Sequence, residues 1–413
     1  MSGQKLRRDH LLSIYHAALK AVNGRHCVMQ ALQRRAINGD IYLVVIGKAA
    51  TAMYLGAADY LNNQILESLV ITKYGYGDAA VMATGARLLE TGHPSPDQSS
   101  LDAGRELLAF IHAVPADGQL LFLISGGASS LVEVLPEGVT LDDLQQVNRW
   151  LLGSGLDIHA MNHVRKSLSL IKGGRLACQL DGRRAEALLI SDVPGDAPAT
   201  IGSGLLTLER FIETEAPLEL PQWISVLMAT GVAAPLHTDE IFNNISLEII
   251  ATLDDAKHAA ATAGRALGYE VYEHAVTLGG DAVLVGRQLA IELLNGSAGV
   301  HIWGGETTMQ LPPQPGRGGR SQHLALVAAT ELTECDNVLF LAAGSDGSDG
   351  PTDDAGGLVD GATIARGRAT GLDANELLAR ADAGTFLAAS GDLVRTGPTG
   401  TNVMDLMLGL KWS

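Results

Sequence analysis

Cysteine is scarce in this sequence, and its positions are far apart. The 413 residues include only Cys27, Cys178 and Cys335, and no two of them form a CxxC pair. A structural zinc site needs clustered ligands, and a disulfide framework needs several cysteines within a short chain. Both are therefore excluded, and we expect a reducing, cytoplasmic compartment.

Positive charge is scarce as well. The chain has 29 Lys and Arg against 46 Asp and Glu, which gives a formal net charge of −17. Nucleic acids and anionic membranes attract basic surfaces, so we expect neither as a partner. Small anionic substrates stay open, because a few well-placed cations and backbone N–H groups suffice to bind them.

Long apolar runs are also missing. No stretch reaches the roughly 20 apolar residues that a membrane-spanning helix requires. The first 22 residues lack the continuous apolar segment of a signal peptide and predict an amphipathic surface helix instead. We therefore expect no membrane association.

The common nucleotide-binding and hydrolase motifs are absent. The P-loop pattern GxxxxGK[ST] does not occur. Gly47 and Lys48 could form its GK pair, but the position that needs the first glycine, five residues before Gly47, is Tyr42. The segment Gly75–Ala80 matches G-x-G-x-x-A, but the residues after it are a poor start for a helix and a strand-like piece follows them, so we predict a turn there rather than a dinucleotide site. HExxH and GxSxG are missing too.

Apolar runs alternating with helical patterns and glycine clusters are what the sequence does contain. The strands predicted in the first half are Ile41–Ile46, Leu69–Thr72, Leu120–Ile124 and Leu188–Ile190, and the helices are Ala49–Asn62, Asp97–Ala113, Thr140–Leu152 and Asp157–Ile171. This alternation predicts an α/β fold, with a Rossmann-like, mostly parallel N-terminal sheet. A proline-richer segment, Glu213–Thr238, interrupts the pattern before it resumes, so we predict domains 1–236 and 237–413, with Asn402–Leu410 as a closing strand.

Two segments have the composition of anion-binding loops. Ser125, Gly126, Gly127, Ser129 and Ser130 follow a predicted strand and combine approachable backbone N–H groups with hydroxyls. The segment from Arg317 to Gln322 contains Arg320 and opens a predicted helix. Lys48, just past the first strand, is either a ligand for an anion or a solvated lysine at a helix start.

Carboxylates crowd one loop of the second half. Asp346, Asp349, Asp353 and Asp354 lie within nine residues after a predicted strand. Like charges this close repel each other unless a cation compensates them, so Asp346 is a candidate magnesium ligand or general base; the spacing does not fit a calcium loop. Asp192 and Glu306 also follow strands, where helix capping is the alternative role.

Motifs along nearly the whole chain resemble class II glycerate 2-kinases. They are Ile46-Gly-Lys48-Ala-Ala, Gly92-His-Pro-Ser-Pro-Asp97, Ile124-Ser-Gly-Gly-Ala-Ser-Ser130, Asn162-His-Val-Arg165-Lys166, Ile171-Lys172-Gly-Gly174, Ser191-Asp192-Val-Pro-Gly-Asp196, Gly304-Gly-Glu306-Thr-Thr, Gly318-Gly-Arg320, Gly344-Ser-Asp346-Gly-Ser-Asp and Gly397-Pro-Thr-Gly-Thr-Asn402. Two stretches depart from the family pattern, at Ala197 and at Ser321 with His323. These changes flank the charged residues rather than replace them.

The resemblance implies phosphorylation of D-glycerate at its 2-hydroxyl by ATP, with Mg²⁺ as the divalent cation. It also implies a C-terminal MOFRL α/β domain and an active site in the cleft between the domains. Lys48, Arg320, Asp192 and Asp346 are the catalytic residues that it indicates, and Asp346 and Asp192 are also its metal ligands. The expected substrate and ATP contacts are Ser125, Gly126, Gly127, Ser129, Ser130, Arg165, Lys172, Gly173, Glu306 and Asn402.

Two other functions remain as alternatives. Some members of this family bear the name hydroxypyruvate reductase, which would require NADH or NADPH. A non-catalytic, anion-binding regulator is the other. The small-molecule partners that we expect are D-glycerate and ATP, and a homodimer is the assembly to test.

Overall fold

The computed structural model describes residues 3–35, 37, 39–154, 156, 158–207, 219–235 and 240–413. These residues fall into two compact units. One consists of Gly24–Ile250, and the other combines Met1–Asn23 with Ala251–Ser413. Residues 236 and 237, between which we predicted the domain boundary, lie outside the described residues, so that boundary stays a prediction. Much of the proline-richer segment, residues 213–218 and 236–238, is likewise outside them.

Strands and helices alternate along most of the chain. The strands are β1 (Ile41–Ile46), β2 (Ile65–Lys73), β3 (Arg87–Thr91), β4 (Gln119–Ile124), β5 (Ala185–Ile190), β6 (Ile245–Ala251), β7 (Val271–Leu278), β8 (Gly299–Gly305), β9 (Val338–Gly344), β10 (Gly356–Asp360), β11 (Leu393–Val394) and β12 (Asp405–Lys411). The helices are α1 (Gly3–Ala21), α2 (Gly24–Gln33), α3 (Ala50–Leu61), α4 (Ala79–Ala83), α5 (Gln98–Ala113), α6 (Ala128–Leu131), α7 (Leu141–Gly153), α8 (Ile158–Ser167), α9 (Arg175–Cys178), α10 (Gln222–Met228), α11 (Leu253–Ala266), α12 (Ala282–Asn295), α13 (Arg320–Glu331), α14 (Thr363–Ala369), α15 (Ala374–Ala379) and α16 (Ala383–Ser390).

The sheet of the Gly24–Ile250 unit has the strand order β3-β2-β1-β4-β5-β6. The pairs β3–β2, β2–β1, β1–β4 and β4–β5 are all parallel, which confirms the predicted sheet. Nearly every residue of β1 and β4 is buried, as expected for parallel strands covered by helices on both faces. The carboxyl ends of β1 and β4 are aligned, since Ile46 pairs with Ile124.

Two local expectations for this unit need correction. A short helix, α4, does begin after the Gly75 segment, because the Asp78 side chain accepts a hydrogen bond from the backbone N–H of Ala80. It has only five residues and β3 follows it, so the long helix of a dinucleotide site is still absent. The helix predicted over Asp157–Ile171 ends early, at Ser167, and the chain turns before α9.

The sheet of the other unit has the order β11-β10-β9-β12-β8-β7. Only β7 and β8 pair in parallel among these neighbours, whereas β12 runs antiparallel to both β8 and β9. The predicted closing strand is therefore a central strand, which separates β8 from β9. At its start, Asp405 pairs with Gly305 on one side and with Gly344 on the other.

Helix α1 packs against α11 and belongs to the unit of the C-terminal half. Arg8 fixes it there through ion pairs of 3.0 Å with Asp360 and Asp392, two carboxylates that are almost completely buried. Tyr15 lies fully buried on the same helix. Within the described part of the chain, no helix has the length and apolar character needed to cross a bilayer.

Candidate active site

The predicted anion cradle and Lys48 are neighbours at the carboxyl ends of β1 and β4. The backbone N–H of Lys48 donates to the carbonyl of Gly126 at 2.9 Å, and the hydroxyl of Ser125 accepts from the N–H of Ala49 at 3.0 Å. These bonds hold the two loops together. The parallel register of the two strands is the cause of this approach, because it aligns their carboxyl ends.

Two glycines allow this close approach. A Cβ atom on Gly47, which has φ +136°, would lie 2.1 Å from the Ser125 hydroxyl. At Gly127, with φ +84°, a Cβ atom would lie 3.1 Å from Cδ2 of His93 and 3.2 Å from Cγ of Lys48. His93 therefore stands beside the cradle. Sequence reasoning did not select it, although its Gly92–Asp97 motif was part of the resemblance.

Two further loops are joined to the cradle. The hydroxyls of Ser129 and Ser203 are 2.8 Å apart. The N–H of Gly173 donates to the carbonyl of Ser203 at 3.0 Å, and that of Gly174 donates to Gly204 at 2.7 Å. The predicted residues Ser129 and Gly173 thus belong to one connected set of loops.

Lys172 is buried beneath these loops. Its ammonium group forms an ion pair with Glu133, and the Ser169 hydroxyl donates to the other oxygen of that carboxylate at 2.5 Å. The side chains of Lys172 and Glu133 are 4% and 0% exposed. This geometry fits an internal support of the Gly173 loop; the predicted contact of Lys172 with a ligand stays a prediction. Glu133 follows α6 without any recognisable motif, which is why the sequence did not reveal it.

Arg165 is a half-buried cation held by amides. Its Nε donates to Oδ1 of Asn148 at 3.0 Å, and Nη1 lies 3.5 Å from Oδ1 of Asn162. Among the residues that the structure describes, no carboxylate lies within ion-pair distance of it, and burial lowers its pKa. A guanidinium group without a counter-charge is suited to bind an anion.

Asp192 is half-buried just after β5, as the sequence predicts.

In the other unit, three strand ends bring charged side chains together. Glu306 directly follows β8, Asp346 lies two residues after β9, and Asp405 begins the antiparallel strand between them. Asp346 and Asp405 are 4% and 3% exposed. A Cβ atom on Gly344 would lie 3.4 Å from Oδ1 of Asp405 and 3.5 Å from Oδ1 of Asp346, so the two carboxylates flank the same glycine.

Arg320 is the cation of this cluster. Its Nε donates to Asp405 at 2.7 Å and its Nη2 at 3.2 Å, while Nη1 lies 2.5 Å from Glu306. Burial by itself lowers the pKa of the guanidinium group, but the charge and hydrogen bonds of Asp405, together with Glu306, raise it overall. Arg320 is therefore a permanent positive charge at the first residue of α13.

Asp349 caps α13 from a distant loop. Its two carboxylate oxygens accept the N–H groups of Ser321 at 3.0 Å and Gln322 at 2.8 Å. Burial raises the pKa of Asp349 to about 7 against the lowering effect of those hydrogen bonds, and the charge of Asp405 adds to the increase. Near neutral pH this side chain is thus divided between its charged and neutral forms.

The Asp346 loop packs closely against the segment before β12. A Cβ atom on Gly347 would lie only 2.0 Å from the carbonyl oxygen of Gly397, and the N–H of Val403 donates to the Ser345 hydroxyl at 2.7 Å. Asn402 is 7% exposed in this segment.

Tyr15 of helix α1 donates to the carbonyl of Gly344 at 2.7 Å. Burial, followed by the charges of Asp346, Asp405 and Asp349, raises its pKa.

Asp405, Asp349 and Tyr15 were not selected from the sequence as site residues. A carboxylate that follows a predicted strand is recognisable in the sequence, whereas Asp405 begins its strand. Asp349 was noted only as one carboxylate of the acidic loop, because its role depends on a helix that starts 29 residues earlier. Tyr15 belongs to a helix that looks like an ordinary surface helix.

The structure describes no group of three or more His, Cys, Asp or Glu side chains that could hold a metal ion. Mg²⁺ often binds through one or two protein carboxylates, with phosphate oxygens and water completing its shell. The three buried carboxylates Asp346, Asp349 and Asp405 outnumber the one arginine among them, so the local charge suits a cation. Asp346 therefore fits as a protein ligand.

Two family models match the chain. One is described as a domain of unknown function (DUF4147) and matches residues 10–217; the other, the MOFRL family, matches residues 299–405. A D-glycerate 2-kinase of Thermotoga maritima is 34% identical over 97% of each chain. A protein of Agrobacterium vitis with a provisional hydroxypyruvate reductase name is 35% identical over 97% of this chain and 93% of its own.

The fold comparison agrees. A crystal structure of glycerate kinase from Thermotoga maritima matches 99% of this chain and 100% of its own, with a TM-score of 0.82 and 31% identity. Membership of one family accounts for the order of the two domains, the glycine-rich loops of the first and the acidic loop of the second. The chain belongs to the glycerate 2-kinase family with DUF4147 and MOFRL domains.

Proposed function

We propose that this chain transfers the γ-phosphate of ATP to the 2-hydroxyl of D-glycerate, forming 2-phospho-D-glycerate and ADP. The observation that carries the proposal is the arrangement of Arg320, which Asp405 holds by two hydrogen bonds close to the Asp346 loop. Phosphoryl transfer depends on fixed cations and on a carboxylate that can accept a proton. The family membership supports the same reaction.

In this proposal the loops after β1 and β4 hold the anionic groups of the substrates. The N–H groups and hydroxyls of Ser125–Ser130 are suited to a carboxylate or a phosphate. Lys48, which is fixed to Gly126 through its backbone, and Arg165 supply positive charge. Gly173, Glu306 and Asn402 stay predicted contacts of substrate or ATP.

The chemical step moves one proton and one phosphoryl group. The glycerate 2-hydroxyl oxygen attacks the γ-phosphorus, the bond from that phosphorus to the bridging oxygen of ADP breaks, and Asp192 or Asp346 takes the hydroxyl proton. Lys48 and Arg320 neutralise the charge of the transferring group. Removal of one such preorganised partner costs about 10²–10³ in kcat in other enzymes.

Mg²⁺ is part of the proposal. When bound, it supplies charge neutralisation at the β- and γ-phosphates. Asp346 and Asp192 are the side chains that would hold it. We also propose a cytoplasmic location, since the three cysteines are free thiols and Cys178 is exposed. The homodimer stays a prediction.

The G-x-G-x-x-A segment does not fit the dinucleotide cofactor that the reductase alternative needs. The G-x-G-x-x-A segment leads into α4, whose N-terminal N–H group is already bound by the Asp78 carboxylate. A dinucleotide pyrophosphate needs the N-terminus of a longer helix, and here it would meet a negative charge instead.

A rival-substrate assay tests the proposal. Purified protein is given D-glycerate with Mg-ATP, tartronate with Mg-ATP, or hydroxypyruvate with NADH, and ADP formation and NADH loss are followed separately. We expect ADP only with D-glycerate, and a product that enolase consumes directly, without a phosphoglycerate mutase. NADH oxidation without any ATP turnover would refute the kinase. A requirement for the mutase would place the phosphate on the 3-hydroxyl.

A further inference from the structure

Arg320 has two carboxylate partners that differ in their surroundings. Asp405 contacts Nε and Nη2 on one edge of the guanidinium group, and Glu306 contacts Nη1 on the other. The Asp405 side chain is 4% exposed, whereas that of Glu306 is 41% exposed. The two ion pairs therefore have different strengths, although they share one cation.

The pair with Asp405 is fixed. It is bidentate and buried, and Asp405 is held in the centre of the sheet by its pairing with Gly305 and Gly344. Breaking a buried pair leaves an uncompensated charge, which is costly. The orientation of the guanidinium plane thus follows from a residue that begins a central strand.

The pair with Glu306 is exchangeable. Exposed ion pairs contribute little to stability, because water solvates each separated partner almost as favourably as the partners interact with each other. An oxyanion, either carboxylate or phosphate, can accept a hydrogen bond from Nη1 of Arg320 in place of the Glu306 oxygen. Such a ligand can replace Glu306 without disturbing Asp405.

We propose that Asp405 is a positioning residue that orients Arg320, and that Glu306 occupies Nη1 of Arg320 in the ligand-free protein and yields it to an oxyanion of the substrate. This inference rests on the proposed function for the source of the oxyanion, which is either the phosphate chain of ATP or the carboxylate of D-glycerate. Glu306 then keeps the arginine in place and partly neutralised until the ligand arrives.

Glu306→Gln tests the exchange, and the chain offers a matched control. Arg287 and Glu331 form another exposed pair, with 2.8 Å between Nε and Oε1, in the same unit. Binding of ATP alone and of D-glycerate alone is measured by calorimetry for wild type, Glu306→Gln and Glu331→Gln. Because breaking an exposed ion pair costs little free energy, we expect Glu306→Gln to lower Kd about two- to fivefold for one ligand. The ligand affected identifies the source of the oxyanion, and Glu331→Gln should bind both as wild type does.

Unchanged or weaker binding of both ligands by Glu306→Gln would overturn the exchange. If the wild type still phosphorylated D-glycerate in that case, the proposed function would stand and only this inference would fail. The two failures are therefore distinguishable.

Asp405→Asn tests the positioning role. Its control is Asp392→Asn, which removes another buried carboxylate that contacts an arginine, Arg366, at 2.7 and 2.8 Å. Both variants should lose stability, but only Asp405→Asn should lose kcat, by tenfold or more, with a smaller change in KM. Asp405→Glu, which restores the charge, should recover part of that kcat. Equal kcat in Asp405→Asn and Asp392→Asn would refute the positioning role.

Discussion

The buried cap of α13 makes the stability of its unit depend on pH. Asp349 has a pKa of about 7 in the folded protein against an ordinary value of 3.8. A raised carboxyl pKa means that the folded state binds a proton more tightly than the unfolded state. Stability is therefore fully present below pH 4, falls as the pH rises, and becomes constant above pH 7.

The size of this effect follows from the two pKa values. Each pKa difference of one corresponds to about 1.36 kcal/mol, and between pH 5 and pH 8 the linkage relation gives a loss of roughly 2–3 kcal/mol. Asp349→Asn removes the titration. The amide has one acceptor oxygen for the N–H groups of Ser321 and Gln322, so it costs about 1–3 kcal/mol relative to the wild type at low pH.

Urea unfolding at several pH values, followed by tryptophan fluorescence, provides the measurement. The stability difference between wild type and Asp349→Asn should be largest at pH 5 and should shrink by roughly 2–3 kcal/mol at pH 8. The subtraction cancels titrations common to both proteins. A difference that stays constant between pH 5 and pH 8 would show that the two N–H bonds keep the pKa of Asp349 at its usual value.

Three further substitutions address the other unit. Lys48→Ala should lower kcat by about 10² or more, as for the loss of a preorganised charge, while the thermal midpoint stays unchanged; normal kcat in the folded variant would make Lys48 a solvated lysine. Gly127→Ala should reduce activity, because its Cβ would press on the neighbouring histidine and lysine side chains. Gly138→Ala is the control: Gly138 has a similar φ of +83°, but no atom lies within 4 Å of the added Cβ. The difference between the two variants therefore reports the side-chain contact and not the backbone strain. Lys172→Met should destabilise the protein by about 3–5 kcal/mol because Glu133 is left buried without its partner; a loss below 1 kcal/mol would show that the pair is solvated.

The parallel sheet and its loops were predictable because their causes are local. The apolar runs Ile41–Ile46 and Leu120–Ile124 define buried strands, and parallel strands align their carboxyl ends, so Lys48 and Ser125 had to lie near each other. The same reasoning fails where a contact joins distant segments. Nothing near Lys172 in the sequence shows that Glu133, 39 residues earlier, buries and neutralises it.

The acidic cluster was predicted in part for the same reason. Asp346 and Glu306 follow strands and were selected, whereas Asp405 precedes one. An antiparallel strand inserted between two others brings its first residue to the edge where they end, and a single sequence does not reveal the strand order. The position of α1 was hidden as well, because an amphipathic pattern shows which face is buried but not against which part of the chain.

The central position of β12 has a consequence for synthesis of the protein. This strand follows all the others in the sequence, yet it separates β8 from β9 and carries the carboxylate that orients Arg320. A nascent chain therefore cannot complete this sheet until residues 405–411 have left the ribosome. Earlier translation products have two strand edges unpaired and an arginine without its anchor, so chains that end prematurely are expected to be both inactive and prone to aggregation.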